Sequence, residues 1–259
     1  LDLKEQSVSK ETTRHPWELA RAKSINHLIK DYLKDSESVM VDFGCGDLFF
    51  MDYTLDNYPK AKGYGFDIGF STQDLEDLSL NYPKIIPVNS KDNLDTLLSA
   101  KRADIVFLMD VIEHVENDQQ ILESIIKSDW FDTKSHLIVT VPAYQILFNS
   151  HDVFLEHYRR YTNSGLSKVV TAAGFEIVEK GYFFSSLLIP RAISKLKEKL
   201  SPPKSFEKSE LVDWKGGASI TNLITQTLYS DFRVNHWLNS SLGITPPGLS
   251  NYMVCQKPA

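Results

Sequence analysis

The stretch Ser38–Asp47, S-V-M-V-D-F-G-C-G-D, constrains the fold of this chain more than any other. Val39, Met40 and Val41 make an apolar run suited to a strand buried on both faces. Asp42 closes the run, and Gly44-Cys45-Gly46 follow at once. Glycines in such a turn let the backbone reverse sharply and let a ligand approach where a Cβ would intrude. Asp47 is a good N-cap for a helix beginning at Leu48. Strand, glycine turn and helix N-terminus, in that order, build the ligand-binding corner of a doubly wound α/β sheet.

The details discriminate between ligands. A dinucleotide fingerprint needs G-x-G-x-x-G, and Phe49 stands where its last glycine would be. The chain has no G-x-x-x-x-G-K for a triphosphate. Asp42 beside the turn repels a phosphate and suits a ligand that carries an amino group. On these residues the stretch resembles motif I of the class I S-adenosylmethionine (SAM) methyltransferases, an apolar pair followed by (D/E)-x-G-(C/x)-G-x-G, with Leu48 in place of the third glycine. The resemblance spans about residues 14–184 and is to the broad type-11/12 group. It implies a doubly wound, mostly parallel seven-stranded sheet whose last strand runs antiparallel. It also implies SAM as cofactor, held by Asp42, Gly44, Cys45 and Gly46.

Composition sets the outer bounds. At 259 residues the chain fits one large α/β domain with an elaborate insertion. A net charge of -6 argues against a general nucleic-acid binder, which needs a basic footprint. The two cysteines, Cys45 and Cys255, have no metal-site spacing and no disulfide framework, so a reducing cytoplasm is expected. The opening residues lack an apolar leader, and no run of about 20 apolar residues is available to span a bilayer.

Four regions follow. Residues 1–37 hold a polar start and a helix over Trp17–Leu33, expected as a lid; related methyltransferases carry a His/Trp-rich segment and an arginine here, which puts Trp17 and Arg21 beside the cofactor. Residues 38–184 alternate strand and helix and form the SAM-binding domain. Its second strand ends at Asp67, 21 residues after Gly46, the distance at which such folds place a carboxylate on ribose hydroxyls. Ile68 beside it is expected on the adenine, with Ser90 after the third strand as an adenine-side acceptor. The apolar run Ala103–Met109 is a further strand, and Met109 and Asp110 at its end are expected to line the pocket. A helix is expected over Val115–Lys127. Residues 185–247 break the rhythm as a helical insertion on the substrate side, and residues 248–259 return as the final strand. Within the insertion, Leu187–Leu200 is amphipathic and bears Arg191, Lys195, Lys197 and Lys199. Such a helix either lays its apolar side on the domain or meets an anionic membrane surface.

The chemistry concentrates in Pro142–Tyr161, P-A-Y-Q-I-L-F-N-S-H-D-V-F-L-E-H-Y-R-R-Y, a loop at the carboxyl end of a parallel strand. Methyl transfer to a hydroxyl needs an in-line acceptor and a base. His151 and His157 are the candidate bases, with His114 of the E-H pair after Asp110 as a third. Tyr144, Arg159, Arg160 and Tyr161 are the candidate acceptor-binding residues, the arginines suggesting an anionic group. Asp110, Glu113 and His114 are spaced i, i+3, i+4, and quinone-biosynthetic and small-RNA methyltransferases with a similar acid-x-x-Glu-His use a divalent ion. Asp110 is one methylene shorter than the glutamate usual there, so no metal is expected. The reading is a cytoplasmic SAM-dependent methyltransferase, with a membrane-peripheral location as the alternative, acting on an oxygen or nitrogen of a small molecule or a glycan or lipid precursor. Its rivals are a divalent-metal-dependent O-methyltransferase and a non-catalytic SAM-binding scaffold.

Overall fold

The computed structural model describes residues 14–33, 37–200 and 214–259. Seven strands form one sheet: β1 Val39–Phe43, β2 Lys62–Phe66, β3 Ile85–Val88, β4 Ile105–Met109, β5 His136–Pro142, β6 Glu176–Phe183 and β7 Ser250–Gln256. Their spatial order is β3-β2-β1-β4-β5-β7-β6. The first five are parallel, and β7 inserts antiparallel to both β5 and β6. This is the expected class I methyltransferase sheet. The chain winds outward from β1 through β2 to β3, then crosses back to β4, so the switch of direction falls between β1 and β4. In such sheets the crevice for a ligand lies at the carboxyl ends of those two strands. Here these ends are the Gly44 turn and Asp110.

Period-two alternation divides the core. Val41, Phe43, Val106 and Leu108 face one buried cluster, which includes Trp130 and Leu166. Met40, Ile105, Phe107 and Met109 face the other. That second layer is covered by α1 (Pro16–Ile29), α2 (Phe49–Asn57) and α9 (Ala218–Leu242). The first is covered by α4 (Lys91–Leu98), α5 (Asp118–Ile126) and α7 (Asn163–Ala172). Between β2 and β3 lies α3 (Thr72–Asn81), and α6 (Ser150–Phe154) and α8 (Leu188–Leu200) complete the described helices. None of these is long and apolar enough to cross a membrane.

Several local expectations are refined. The second helix starts at Phe49, not Leu48. Leu48 is its N-cap at φ 62°, ψ 0°, while Asp47 still accepts from the Phe49 N–H at 3.2 Å. Leu48 therefore holds the left-handed conformation that the missing third glycine would take for nothing. Its side chain is fully buried, and a Cβ on Gly65 would come within 2.3 Å of its Cδ2, so the bare Gly65 makes room for it. The helix expected over Val115–Lys127 is shorter. A 3-10 turn at Ile112–His114 precedes α5, which Asn117 caps by accepting from the Gln120 N–H.

The segment after β6 is divided. α9 packs on α1: Thr225 donates to the Pro16 carbonyl at 3.3 Å, and Phe232 stacks into Phe183, Tyr252 and His27. It is thus part of the same core as α1. α8 instead holds the loop after β5, and it does so with its polar side: Glu198 accepts from the Ser150 N–H at 2.9 Å, and Arg191 donates to Asn149 at 2.8 Å. Its apolar side faces away, so of the two expectations for this helix the packing of that side on the domain is not met. The polar N-terminal stretch and the Pro202-Pro203 end of this helix fall outside the described residues.

Candidate active site

At the crevice between β1 and β4 lies a cleft lined by Trp17, Arg21, Asp42, Gly44, Cys45 and Met109. Six candidate cofactor residues, remote in sequence, meet there. Asp42 forms the floor because the alternation of β1 turns it to the same face as Met40. Its carboxylate is buried and one oxygen, Oδ1, has no partner. Burial, reinforced by Asp67 and Asp47 and opposed by Arg21, pushes its pKa up to about 7. An orphaned acid at the bottom of a cleft suits a ligand amino group, which would restore its charge. Cys45 is buried, and burial raises its thiol pKa well above the ordinary value, so it lines the cleft without being a nucleophile.

Gly44 sits at φ 69° and Gly46 at φ 56°, conformations that favour glycine, and a Cβ on Gly44 would meet Val111 Cγ2 at 2.6 Å. Asp67 supports the turn: its Oδ2 accepts from the Gly46 N–H at 3.1 Å and its Oδ1 from the Gly69 N–H at 2.9 Å. Ile68 beside it is 84% exposed. Ser90 caps α4 by accepting from the Asn93 N–H at 3.3 Å. Met109 accepts through sulfur from the Thr140 hydroxyl at 3.8 Å.

α1 starts with a capping box. His15 accepts from the Trp17 N–H and Glu18 from the His15 N–H, with Pro16 as first residue. This fixes Arg14 and Arg21 over the cleft. Arg14 pairs with Asp47 and lies 4.3 Å over the Phe49 ring. Arg21 pairs with Asp110, reaches Thr140 and lies over Trp17. Asp110 itself has φ 55°, so its backbone turns the carboxylate toward Arg21.

The second half of the site is built by the loop after β5. Asp152 is fully buried on α6 and gathers two arginines and a histidine. His157 donates through Nδ1 to its Oδ1 at 2.9 Å, Arg160 through Nε to the same oxygen at 2.7 Å, and Arg191 to Oδ2 at 3.1 Å. Burial alone would raise its pKa, but the bonds from His157 and Arg160 and the Arg160 charge hold it well below the usual carboxylate range. The ring of His157 meets that of His114 edge-on at 4.6 Å. Glu113 lies beside them, buried, with neither oxygen bonded. Burial, with Asp110 nearby, raises its pKa well above the ordinary value. One ligand atom from each of Glu113, His114 and His157 lies within 4.8 Å of the others. Asp110 is turned away to Arg21 and does not join this set.

The remaining candidates have other partners. His151 is half-buried with an unbonded Nδ1, and burial and the Arg191 charge bring its pKa down to about 4. Arg160 is buried against Asp152 and the Ala143 carbonyl. Arg159 bonds the Glu116 carbonyl at 2.7 Å and pairs with Asp118 at 3.0 Å. The Tyr161 hydroxyl donates to Asp118 at 2.7 Å. Tyr144, at φ 60°, stacks on Tyr182 at 5.4 Å. Residues that the sequence did not single out are Asp152 as the hub, Thr140, and Phe50, which also lines the cleft. Asp152 alone left a signal, a carboxylate five residues before a histidine.

A family model described as a methyltransferase domain matches residues 17–180. The match is to that general family, not to the type-11/12 group. None of the curated proteins compared with the chain matches its sequence. Among solved structures, the [4+2]-cyclase SpnF is similar at TM-score 0.53 and 13% identity, over 92% of this chain and 81% of that one. A Haemonchus contortus phosphoethanolamine N-methyltransferase 2 in complex with SAM is similar at TM-score 0.52 and 12% identity, over 92% of this chain and 52% of that one. A methyltransferase described as putative, from Bacillus halodurans, is similar at TM-score 0.51 and 14% identity, over 94% and 100%. The chain thus spans about half the length of the phosphoethanolamine enzyme. At these identities the likeness is one of fold.

Proposed function

Because the chain belongs to the methyltransferase-domain family and its cofactor is S-adenosylmethionine, we propose that it methylates an oxygen or nitrogen of a small molecule or of a glycan or lipid precursor, with His157 as the base. The observation that supports this most is the Asp152–His157 pair. A carboxylate on Nδ1–H fixes the tautomer, leaves Nε2 as the acceptor, and stabilises the imidazolium that forms when a proton is taken. Arg160 and Arg191 hold Asp152 in place and ionised, so the orienting charge is permanent. His151, with a pKa near 4, is a poor base at neutral pH.

The cofactor, when bound, supplies the electrophilic methyl group. The protein's part is to bind and to orient. Asp42 would accept the amino group, the Gly44–Gly46 turn would lie against the ligand, Asp67 would serve the ribose, and Trp17 and Arg21 would close the cleft from α1. Arg21 also keeps Asp110 and Thr140 in register across the ends of β4 and β5. His157 holds the acceptor proton at Nε2.

A second reading rests on Glu113. Its unbonded buried carboxylate, with His114 and His157 beside it, fits a divalent ion, and Asp152 on Nδ1 of His157 is the support that metal-ligating histidines usually have. The two readings differ in one assay. S-adenosylhomocysteine release is measured with a panel of hydroxyl and amine acceptors, before and after EDTA. Turnover that ignores EDTA supports the base. Turnover lost to EDTA and restored by Mg²⁺ or Mn²⁺ sinks it in favour of the metal.

A further inference from the structure

Amphipathic helices in folded domains normally turn their apolar stripe inward. α8 does the reverse. Ile189, Ile193, Leu196 and Leu200 recur at i, i+4, i+7, i+11 and fall within about 60° of one another on a helix of 3.6 residues per turn. They are 71%, 49%, 58% and 76% exposed. The half-buried residues of the same helix are Leu188, Arg191, Lys195 and Glu198, on the opposite side. Two of these grip the loop after β5: Arg191 through Asn149 and Asp152, Glu198 through the Ser150 N–H. The helix is therefore anchored by charge and presents its hydrocarbon to the outside. The 3-10 turn Gln145–Leu147 abuts it and adds Ile146, 80% exposed.

We propose that α8 is a docking helix for an anionic lipid surface. The occupant is chosen by charge. Lys197 and Lys199 are exposed and lie one on either side of the apolar stripe, where their ammonium groups would stand at headgroup level as the stripe enters the acyl boundary. The chain as a whole carries -6, so this basic edge is a local departure and not part of a general cationic surface. A helix about 20 Å long with four apolar side chains is too short to span a bilayer and is suited to lie in its plane. In a two-fold pairing of α8 with a second copy, the lysine-flanked stripe would meet another lysine-flanked stripe, like charge against like. The proposal stands apart from the choice of base or metal, because it uses no residue of that chemistry as a ligand for lipid.

The test is flotation of the full chain with vesicles of phosphatidylcholine and phosphatidylglycerol at 7:3, beside vesicles of phosphatidylcholine alone. The variants are I193D/L196D and K197E/K199E, both on the exposed side, with circular dichroism and SAM affinity as folding controls. The wild-type chain is expected to float with the anionic vesicles and to be released by 0.5 M salt. Each variant should lower the bound-to-free ratio at least tenfold with the fold intact; each lysine near an anionic surface is worth about fivefold. No flotation of the wild type, or equal flotation of I193D/L196D, overturns the proposal. Equal binding to pure phosphatidylcholine overturns the anionic assignment. A concentration-dependent dimer that I193D/L196D disperses, without vesicle binding, assigns the stripe to a second copy and overturns it too.

Discussion

The buried carboxylate of Asp42 gives the cofactor site a pH dependence that can be worked out in advance. In the free protein burial pushes its pKa up to about 7, and no partner reaches Oδ1. A ligand ammonium group binds the ionised form. Affinity should therefore rise with pH through about 7 and fall below it by one decade per pH unit. The ligand's own α-amino group has an ordinary pKa of about 7.7–8.0, so the measurement is best kept at or below pH 7.5. Between pH 7.5 and 5.5 the ionised fraction drops roughly 25-fold, equivalent to about 1.9 kcal/mol. Isothermal titration with S-adenosylhomocysteine in buffers of different ionisation enthalpy reads both the affinity and the proton that Asp42 releases on binding. Asp42→Asn should weaken binding at pH 7.5 and flatten the profile. The linkage to stability has the opposite sense. A carboxylate whose folded pKa is raised stabilises the free protein at low pH and loses that contribution as pH rises through about 7. Asp42→Asn should then raise the melting temperature of the free protein at pH 8. A wild-type affinity that is equal at the two pH values, or an unchanged slope in the Asn variant, refutes the placement of the amino group on Asp42.

Other outcomes follow from the same geometry. Asp67→Ala should cost about 1.5–3 kcal/mol of SAM affinity by calorimetry, the scale of hydrogen bonds to a charged group; part of this reflects the Gly46 N–H losing its acceptor. His157→Asn should lower the rate of S-adenosylhomocysteine release about 10²–10⁴-fold with SAM affinity preserved, and equal loss of both would make it a structural residue. Gly65→Ala should destabilise by about 1–3 kcal/mol in urea unfolding, because its Cβ would meet Leu48 Cδ2 at 2.3 Å. Adding Leu48→Ala should recover part of that loss, and strict additivity of the two would refute the contact.

How much of this was legible in the sequence depends on the range of the interaction. Continuous apolar runs announced β1 and β4 because both faces of a central parallel strand are buried. The acid at the end of each strand is local too, so Asp42 and Asp67 could be picked out before any contact was known. Leu48 shows the limit. Its side chain fits because Gly65, on β2, leaves space for it, and that approach is a property of the fold. Asp152 shows the same thing in the loop. Its spacing from His157 was visible, but its partners Arg160 and Arg191 come from two different elements, and Arg191 lies 39 residues away. Arg159 and Tyr161 are acceptor-binding candidates by residue type, and only the fold shows that Asp118 engages both. For α8, periodicity gave the stripe but not its direction, since Arg191 and Glu198 could be read equally well as its solvent face.

Backbone strain marks the same edge of the sheet from an independent direction. Leu48, Asp110 and Tyr144 all have positive φ, a conformation that costs an L-residue about 1–2 kcal/mol. They follow the carboxyl ends of β1, β4 and β5 in turn, three strands that are neighbours at and beside the switch point. Each bend has a visible consequence. At Leu48 it ends the glycine turn and starts α2; at Asp110 it aims a carboxylate at Arg21; at Tyr144 it stacks the ring on Tyr182 and sends the loop toward Asp152. A sheet whose only task was to pack its core would have no use for such turns in succession, since ordinary αR or extended residues would close all three loops more cheaply. The strain is held by what surrounds it, Gly65 beneath Leu48, Arg21 and Thr140 on Asp110, Tyr182 against Tyr144. Relaxing any one of them should therefore show itself first in the alignment of acceptor and cofactor and only afterwards in stability.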